Sequence, residues 1–344
     1  MAKNQDKPHL IAFEVTRRCR FNCRYCRANA GPDANAEELT TTQCKKILKA
    51  VADFTKCMVI LTGGEPMERK DIYKLIEYGR GLGLRMVMAT CGYLIDKQSI
   101  TKLKEAGIMA LSFSLDGASA ESNDKFRQTP GAFDFIIKAI EAAHQACIRF
   151  QINTTISRLN IDEFVSIAEL AQRLGAYCFN PFILVSTGRA EEHADEILDP
   201  FEYETLLNEL LRIKLESNIQ VRVTCGPQFA RICQQARAER LIGEVNGCMG
   251  GRGFGFISCR GDVQTCGFLN NSAGNLIENH YDFEQIWLNS EFLNQIRNLS
   301  GYTGKCGDCE YIHFCGGCRA RAYATSGDYL TGDPVCNYRP GGKK

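Results

Sequence analysis

Cys19-Arg-Phe-Asn-Cys23-Arg-Tyr-Cys26 follows directly on the apolar run Leu10 to Val15, and its three cysteines are spaced C-x-x-x-C-x-x-C. Spacings this short let one loop wrap a cubic cluster and bind three of its irons through thiolate. That leaves a [4Fe-4S] cluster with one iron open to another ligand. Zinc is the competing reading, but structural zinc is normally closed by a fourth nearby Cys or His, and the next cysteine, Cys44, lies in a helical pattern. Disulfide pairing would leave an odd cysteine, with no secretory segment ahead of the triplet. Buried cysteines acting as small hydrophobes suit Cys44, Cys57 and Cys147, but not a triplet set among Arg, Asn and Tyr.

Around the triplet, from residue 9 to about 185, short apolar or β-branched runs alternate with longer segments of helical period. The strand candidates are Leu10 to Val15, Met58 to Thr62, Arg85 to Ala89, Ala110 to Leu115, Phe150 to Ile156 and Tyr177 to Val185. Helices are expected over Thr41 to Phe54, Asp71 to Leu82, Lys97 to Ala106, Phe133 to Cys147, Ile161 to Leu174 and Pro200 to Ser217. Repeated βα units imply an α/β fold with a parallel sheet. Six units are too few to close an eight-stranded barrel, so a partial (β/α)6 TIM-like barrel is expected over residues 9–220. Ligands of such folds collect at the carboxyl ends of the strands. Beyond residue 220 the alternation stops, and Phe254 to Phe268 reads as a hairpin turning at Arg260-Gly261-Asp262. No helix or strand of length is expected after Ser300, so metal is expected to hold a second domain, 221–340, together.

A chain of 344 residues can bury a large core, and a net charge of +1 with 24% charged residues argues against a nucleic-acid or membrane-surface protein. No apolar run approaches the length of a bilayer span, and the polar start Met1 to Pro8 is unlike a signal peptide. The cytoplasm is the expected compartment, where the 18 cysteines would not be disulfides. Ten of the 18 lie after residue 220, most in close pairs.

Two further motifs close strand candidates. Leu61-Thr62-Gly63-Gly64-Glu65-Pro66 ends the second. Paired glycines admit a ligand to the backbone and a carboxylate holds an ammonium group, although an ordinary glycine turn would look the same. Ser114 and Asp116 end the fourth and alternate on one face, as groups meeting a ribose or carboxylate would, or as a plain strand-end cap.

The triplet, with Tyr25 just before its third cysteine, resembles the radical S-adenosylmethionine (SAM) signature, and Gly63-Gly64-Glu65 resembles that family's Gly-Gly-Glu motif. The resemblance implies that the open iron chelates SAM and that the glycine motif cradles its amino group. It further implies that Ser114 and Arg127 meet the ribose and carboxylate, with Asp116 and Asn153 as further candidates, and that Tyr25 packs near the adenine. Relatives commonly have Asn where Cys91 stands. The implied chemistry is a 5'-deoxyadenosyl radical that takes a hydrogen atom from substrate, fed by a low-potential donor such as flavodoxin or ferredoxin. No side chain is assigned as catalytic.

Cys306-x2-Cys309-x5-Cys315-x2-Cys318, with Cys336 beyond and Cys248 and Cys266 upstream, resembles the SPASM extension, which carries two auxiliary [4Fe-4S] clusters. The family's interleaved pattern would put Cys306, Cys309, Cys315 and Cys336 on an outer cluster and Cys248, Cys266 and Cys318 on an inner one. The inner set is one ligand short: either Cys259 rotates in across the hairpin or the iron is open to water or substrate. A zinc ribbon closed by four thiolates would strand the other three cysteines.

Thr187-Gly188-Arg189-Ala190, Tyr302-Thr303-Gly304-Lys305-Cys306 and Cys315-Gly-Gly-Cys318-Arg-Ala-Arg-Ala322 are similar to the haem synthase family of the siroheme-dependent pathway. This implies oxidative decarboxylation of two propionates of iron-coproporphyrin III to vinyls. Such an anionic tetrapyrrole carries four carboxylates, which guanidinium suits. Arg17, Arg18, Arg27, Arg189, Arg252, Arg319 and Arg321 are candidates, Arg189 and Arg252 foremost because each follows a glycine beside a site segment. Other readings fit less well. Sulfatase maturases usually have Asp after the cysteine at 266, where Gly267 stands here. Peptide maturases often add a leader-binding domain before the cluster loop, whereas 18 residues precede Cys19. A non-catalytic iron-sulfur carrier would not require Gly63, Gly64 and Glu65 beside an open iron.

Overall fold

The computed structural model describes residues 7–33, 37–237 and 245–341. Six parallel strands follow the expected runs: β1 (Leu10–Thr16), β2 (Met58–Gly63), β3 (Arg85–Thr90), β4 (Ala110–Ser114), β5 (Arg149–Ile156) and β6 (Cys178–Ile183). Their intervening helices are α1 (Thr41–Phe54), α2 (Ile72–Gly81), α3 (Lys97–Ala106), α4 (Ala120–Arg127), α5 (Ala132–Gln145) and α6 (Phe164–Arg173), followed by α7 (Pro200–Glu216). Helix starts are set locally. Thr40, Asp96 and Asp199 each cap an N-terminus in a reciprocal capping box, and Pro200 occupies the first turn of α7. Phe13, Leu61, Met88, Phe113, Ile152 and Phe179, one from each strand, are buried in a common core. β1 is buried over nearly its whole length, as befits a strand covered on both faces.

The arc is longer than six units. A two-residue strand, β7 (Gln220–Val221), pairs parallel with β6, and a boundary at residue 220 would cut it in two. After α8 (Gln228–Gln235) comes the hairpin of β8 (Phe254–Ile257) and β9 (Asp262–Gln264), joined by β10 (Gly274–Asn275). β8 adds in parallel to the free edge of β1, so one ten-stranded sheet runs β10-β9-β8-β1-β2-β3-β4-β5-β6-β7.

The rest of the C-terminal segment is α9 (Phe283–Asn289), α10 (Glu291–Arg297), the single turn α11 (Gly304–Gly307) and α12 (Arg319–Ser326). α12, at eight residues, corrects the expectation of no helix or strand of length after Ser300. Its first turn, Arg319 to Ala322, is buried on all sides, so it carries no apolar period to read. It is stabilised instead by the buried Arg321–Asp333 ion pair and by a left-handed glycine cap at Gly327, φ +73°.

Candidate active site

The cysteine triplet leaves the carboxyl end of β1, where Cys19, Phe21, Ala28, Ala30 and Cys91 form a small buried cluster with Cys23 and Cys26 against it. The ends of β2 and β3 press on this loop. Gly64 N–H donates to the Thr16 carbonyl at 2.8 Å and Glu65 N–H to the Arg18 carbonyl at 2.7 Å. A Cβ on Gly63 would lie 2.0 Å from the Thr16 oxygen, and one on Gly64 2.3 Å from the Arg18 oxygen. The paired glycines therefore let the chain's own backbone at Thr16 and Arg18 approach closely.

Glu65 is likewise occupied. Its carboxylate accepts from the Cys91 amide at 2.8 Å, the Cys91 thiol at 2.9 Å, the Thr90 hydroxyl at 2.8 Å and the Met67 amide at 3.0 Å. Complete burial pushes its carboxyl above the usual range. Cys91 thus sits between Glu65 and Cys19, whose thiol it also meets. The side chain that departs from the common Asn is the link between glycine motif and cluster loop.

Arg127, at the end of α4, is mostly covered, with its Nε 2.6 Å from Asp116 and its Nη1 3.4 Å from the Cys23 sulfur. The other Asp116 oxygen accepts from the Thr155 amide at 2.7 Å. Asp116 is therefore committed to orienting Arg127, which corrects its reading as a free ribose contact. Ser114 stands opposite Asn153 in the β4–β5 register. Asn153 accepts from Gln151 and from Asn180, and Asn180 accepts from Thr224, a polar ladder across the strand ends. Tyr25 packs edge-on against Phe126, its hydroxyl 3.2 Å from Ser157.

The arginine pair is not brought together. Arg189 donates to the Cys23 carbonyl and to the Ala30 carbonyl, both at 2.8 Å, and its amide to the Cys26 carbonyl at 3.1 Å. It braces the cluster loop. Arg252 donates to the Ile296 carbonyl at 3.2 Å beside the C-terminal cysteines. Arg17 and Arg27 both pair with the buried Glu14, and Arg321 pairs with Asp333. The exception is Arg18, which is exposed at the root of the loop.

Among the C-terminal thiols, Cys306, Cys309, Cys315 and Cys336 line one cavity with Arg231 and Tyr338, the grouping expected for the outer site. Cys248, Cys266 and Cys318 form the second group, within electrostatic reach of one another. Cys259 is not among them. It turns toward Glu14, and its carbonyl accepts from the Leu39 amide at 3.0 Å, because the β8–β9 turn carries it to the foot of the cluster loop. Of the two alternatives for the inner set, rotation of Cys259 across the hairpin is thereby set aside.

Comparison with known proteins shows the family. The Radical SAM superfamily matches residues 13–171. The AdoMet-dependent heme synthase of Methanosarcina barkeri is 44% identical over 98% of this chain and 98% of its own. The chain belongs to the radical SAM heme synthase family. The Fe-coproporphyrin III synthase of the same organism is 30% identical over 97% of this chain and 88% of its own. The crystal structure of Streptococcus suis SuiB bound to S-adenosylmethionine shares the fold, with a TM-score of 0.74 and 18% identity over 97% of this chain and 78% of that one.

As a radical SAM heme synthase family member, the chain is an enzyme whose family uses a [4Fe-4S] cluster and SAM, and the donor set fits them. Three thiols share one loop, and a mostly covered guanidinium reaches Cys23 from outside the loop. Among the described residues, no helix is long and apolar enough to cross a membrane.

Proposed function

We propose that this enzyme makes haem by oxidative decarboxylation of two propionates of iron-coproporphyrin III. The observation that carries this is the contrast between 44% identity to a heme synthase and 30% to the Fe-coproporphyrin III synthase of one organism, each nearly full length. When bound, the cluster held by Cys19, Cys23 and Cys26 and its SAM supply a 5'-deoxyadenosyl radical that removes a hydrogen atom from a propionate β-carbon. The carboxylate then leaves as carbon dioxide, a vinyl double bond forms, and one electron must go to an acceptor.

The chain's own residues prepare for this. Arg127, fixed by Asp116, offers its guanidinium to the SAM carboxylate; Ser114 and Asn153 present polar groups at adjacent strand ends. Tyr25 closes the adenine side. Gly64 and Glu65 hold the root of the cluster loop through their amides. Arg18 is left to meet a substrate carboxylate, since Arg189 and Arg252 serve the protein backbone. Residues 221–340 carry two auxiliary [4Fe-4S] clusters, a flavodoxin- or ferredoxin-type protein supplies electrons, and the setting is the cytoplasm.

Anaerobic turnover of iron-coproporphyrin III with SAM and reductant, followed by mass spectrometry, tests the reading. The expected product has lost carbon dioxide and two hydrogens from each of two propionates. Formation of 5'-deoxyadenosine with an unaltered tetrapyrrole would refute it.

A further inference from the structure

The inner group of thiols has a fourth member that no short motif announces. Thr224 continues β7, bonding the Pro181 carbonyl through its amide at 2.8 Å and the Ile183 amide through its carbonyl at 3.0 Å. The next residue, Cys225, is thereby delivered past the carboxyl end of β6. There its thiol lies against that of Cys318 and near Cys266. Val185, Leu269, Cys318 and Ala320 form the buried cluster around it, with Cys225 and Cys266 packed on.

Cys225 is also held in a backbone conformation that a residue of its kind rarely adopts, φ +58°. The neighbouring network maintains it. Arg321 donates to the Cys225 carbonyl at 2.7 Å and pairs with Asp333 at 3.1 Å. Asp333 accepts from the Cys318 amide at 2.8 Å and from Gln228 at 2.7 Å. One buried ion pair therefore clamps the backbones of Cys225 and Cys318, far apart in sequence, so that their side chains face one another. Strain kept in place by a surrounding network is a mark of a functional position.

We propose that Cys225 is the fourth thiolate ligand of the inner auxiliary cluster, with Cys248, Cys266 and Cys318. On binding, the Cys225 thiol gives up its proton and forms one iron–sulfur bond, which makes the cluster coordinatively complete. No inner iron is then left for water or substrate, and electrons must enter and leave that cluster without bond formation. The proposal rests on the auxiliary-cluster reading and is independent of the tetrapyrrole.

The full chain, reconstituted anaerobically with iron and sulfide in a Cys19→Ala, Cys23→Ala, Cys26→Ala background, isolates the auxiliary clusters. Adding Cys225→Ala should remove one iron per chain and bring up a three-iron paramagnetic resonance signal in the oxidised protein. Adding Cys259→Ala should change neither. Cyanide, a ligand for open iron, should leave the reduced parent's spectrum unmoved. A cyanide shift in the parent overturns the proposal even if Cys225→Ala fails to fold, and so does a folded Cys225→Ala with parental iron and spectrum. A parent that binds no iron overturns the auxiliary-cluster reading beneath it.

Discussion

Replacing Gly64 with Ala should weaken the grip of β2 on the cluster loop. The added Cβ would sit 2.3 Å from the Arg18 carbonyl oxygen and 2.9 Å from that of Arg17, where ordinary contact begins at 3.4 Å. Both obstacles are backbone, so no side chain can swing aside, and the strands must separate by about 1 Å. Overpacking of this kind costs about 1–3 kcal/mol. The 2.7 Å bond from the Glu65 amide to the same Arg18 oxygen would be stretched as well, adding about 1 kcal/mol. The total is about 2–4 kcal/mol, read as a shift in anaerobic urea unfolding of the apoprotein and as faster iron loss from the triplet in the holoprotein. Gly81→Ala is the matched control, since nothing lies within 4 Å of its added Cβ at the end of α2, where Ala should be neutral or gain about 0.5–1 kcal/mol. If Gly64→Ala keeps wild-type stability and iron while losing only SAM affinity, the space belongs to the cofactor and the reasoning fails.

Asp116→Asn should strand the mostly covered Arg127 charge and cost about 3–5 kcal/mol in unfolding experiments. Unchanged stability would mean that Arg127 finds another anion. Arg189→Lys cannot reach both the Cys23 and Ala30 carbonyls, so a chelator should strip the triplet cluster faster while iron-coproporphyrin affinity stays constant; the opposite pattern would restore Arg189 as a substrate contact. Burial alone would raise the Glu14 carboxyl, but Arg27 and Arg17 together hold it below its ordinary 4.5. Its contribution is complete above that pH and fades as pH falls through the lowered folded value, so the advantage of wild-type apoprotein over Glu14→Gln should shrink below pH 4.5.

The barrel was readable because each of its first six strands is an apolar run and its helices carry side-chain caps or an apolar stripe. Elements without those signals escaped. β7 has only two residues, and α4, although Ser119 caps it, buries only Asn123 and Phe126 and so has no apolar stripe. At the site, the triplet and the outer four cysteines announce themselves by spacing, whereas Cys225 is 23 positions from Cys248. Its local signal is the Cys225-Gly226-Pro227 break after the alternating stretch Ile219 to Thr224. The true partners of Gly63 and Gly64 lie in β1 and the loop after it, so their role follows from the packing of two strand ends and no motif encodes it.

The seating of β8 beside β1 bears on how the molecule comes into being. Leu10 pairs with Phe254, 244 positions later, so the strand that launches the cluster loop keeps a bare edge until most of the chain has left the ribosome. Contacts of such long range close slowly, and an unpaired apolar edge invites pairing with other chains. A chain ending before residue 250 would retain the whole cysteine triplet yet present β1 as an open edge, and should aggregate where the full chain does not. Final closure of the first strand therefore waits on the segment that also brings the last cysteines, so completion of the sheet and maturation of the metal sites become late, joint events in assembly.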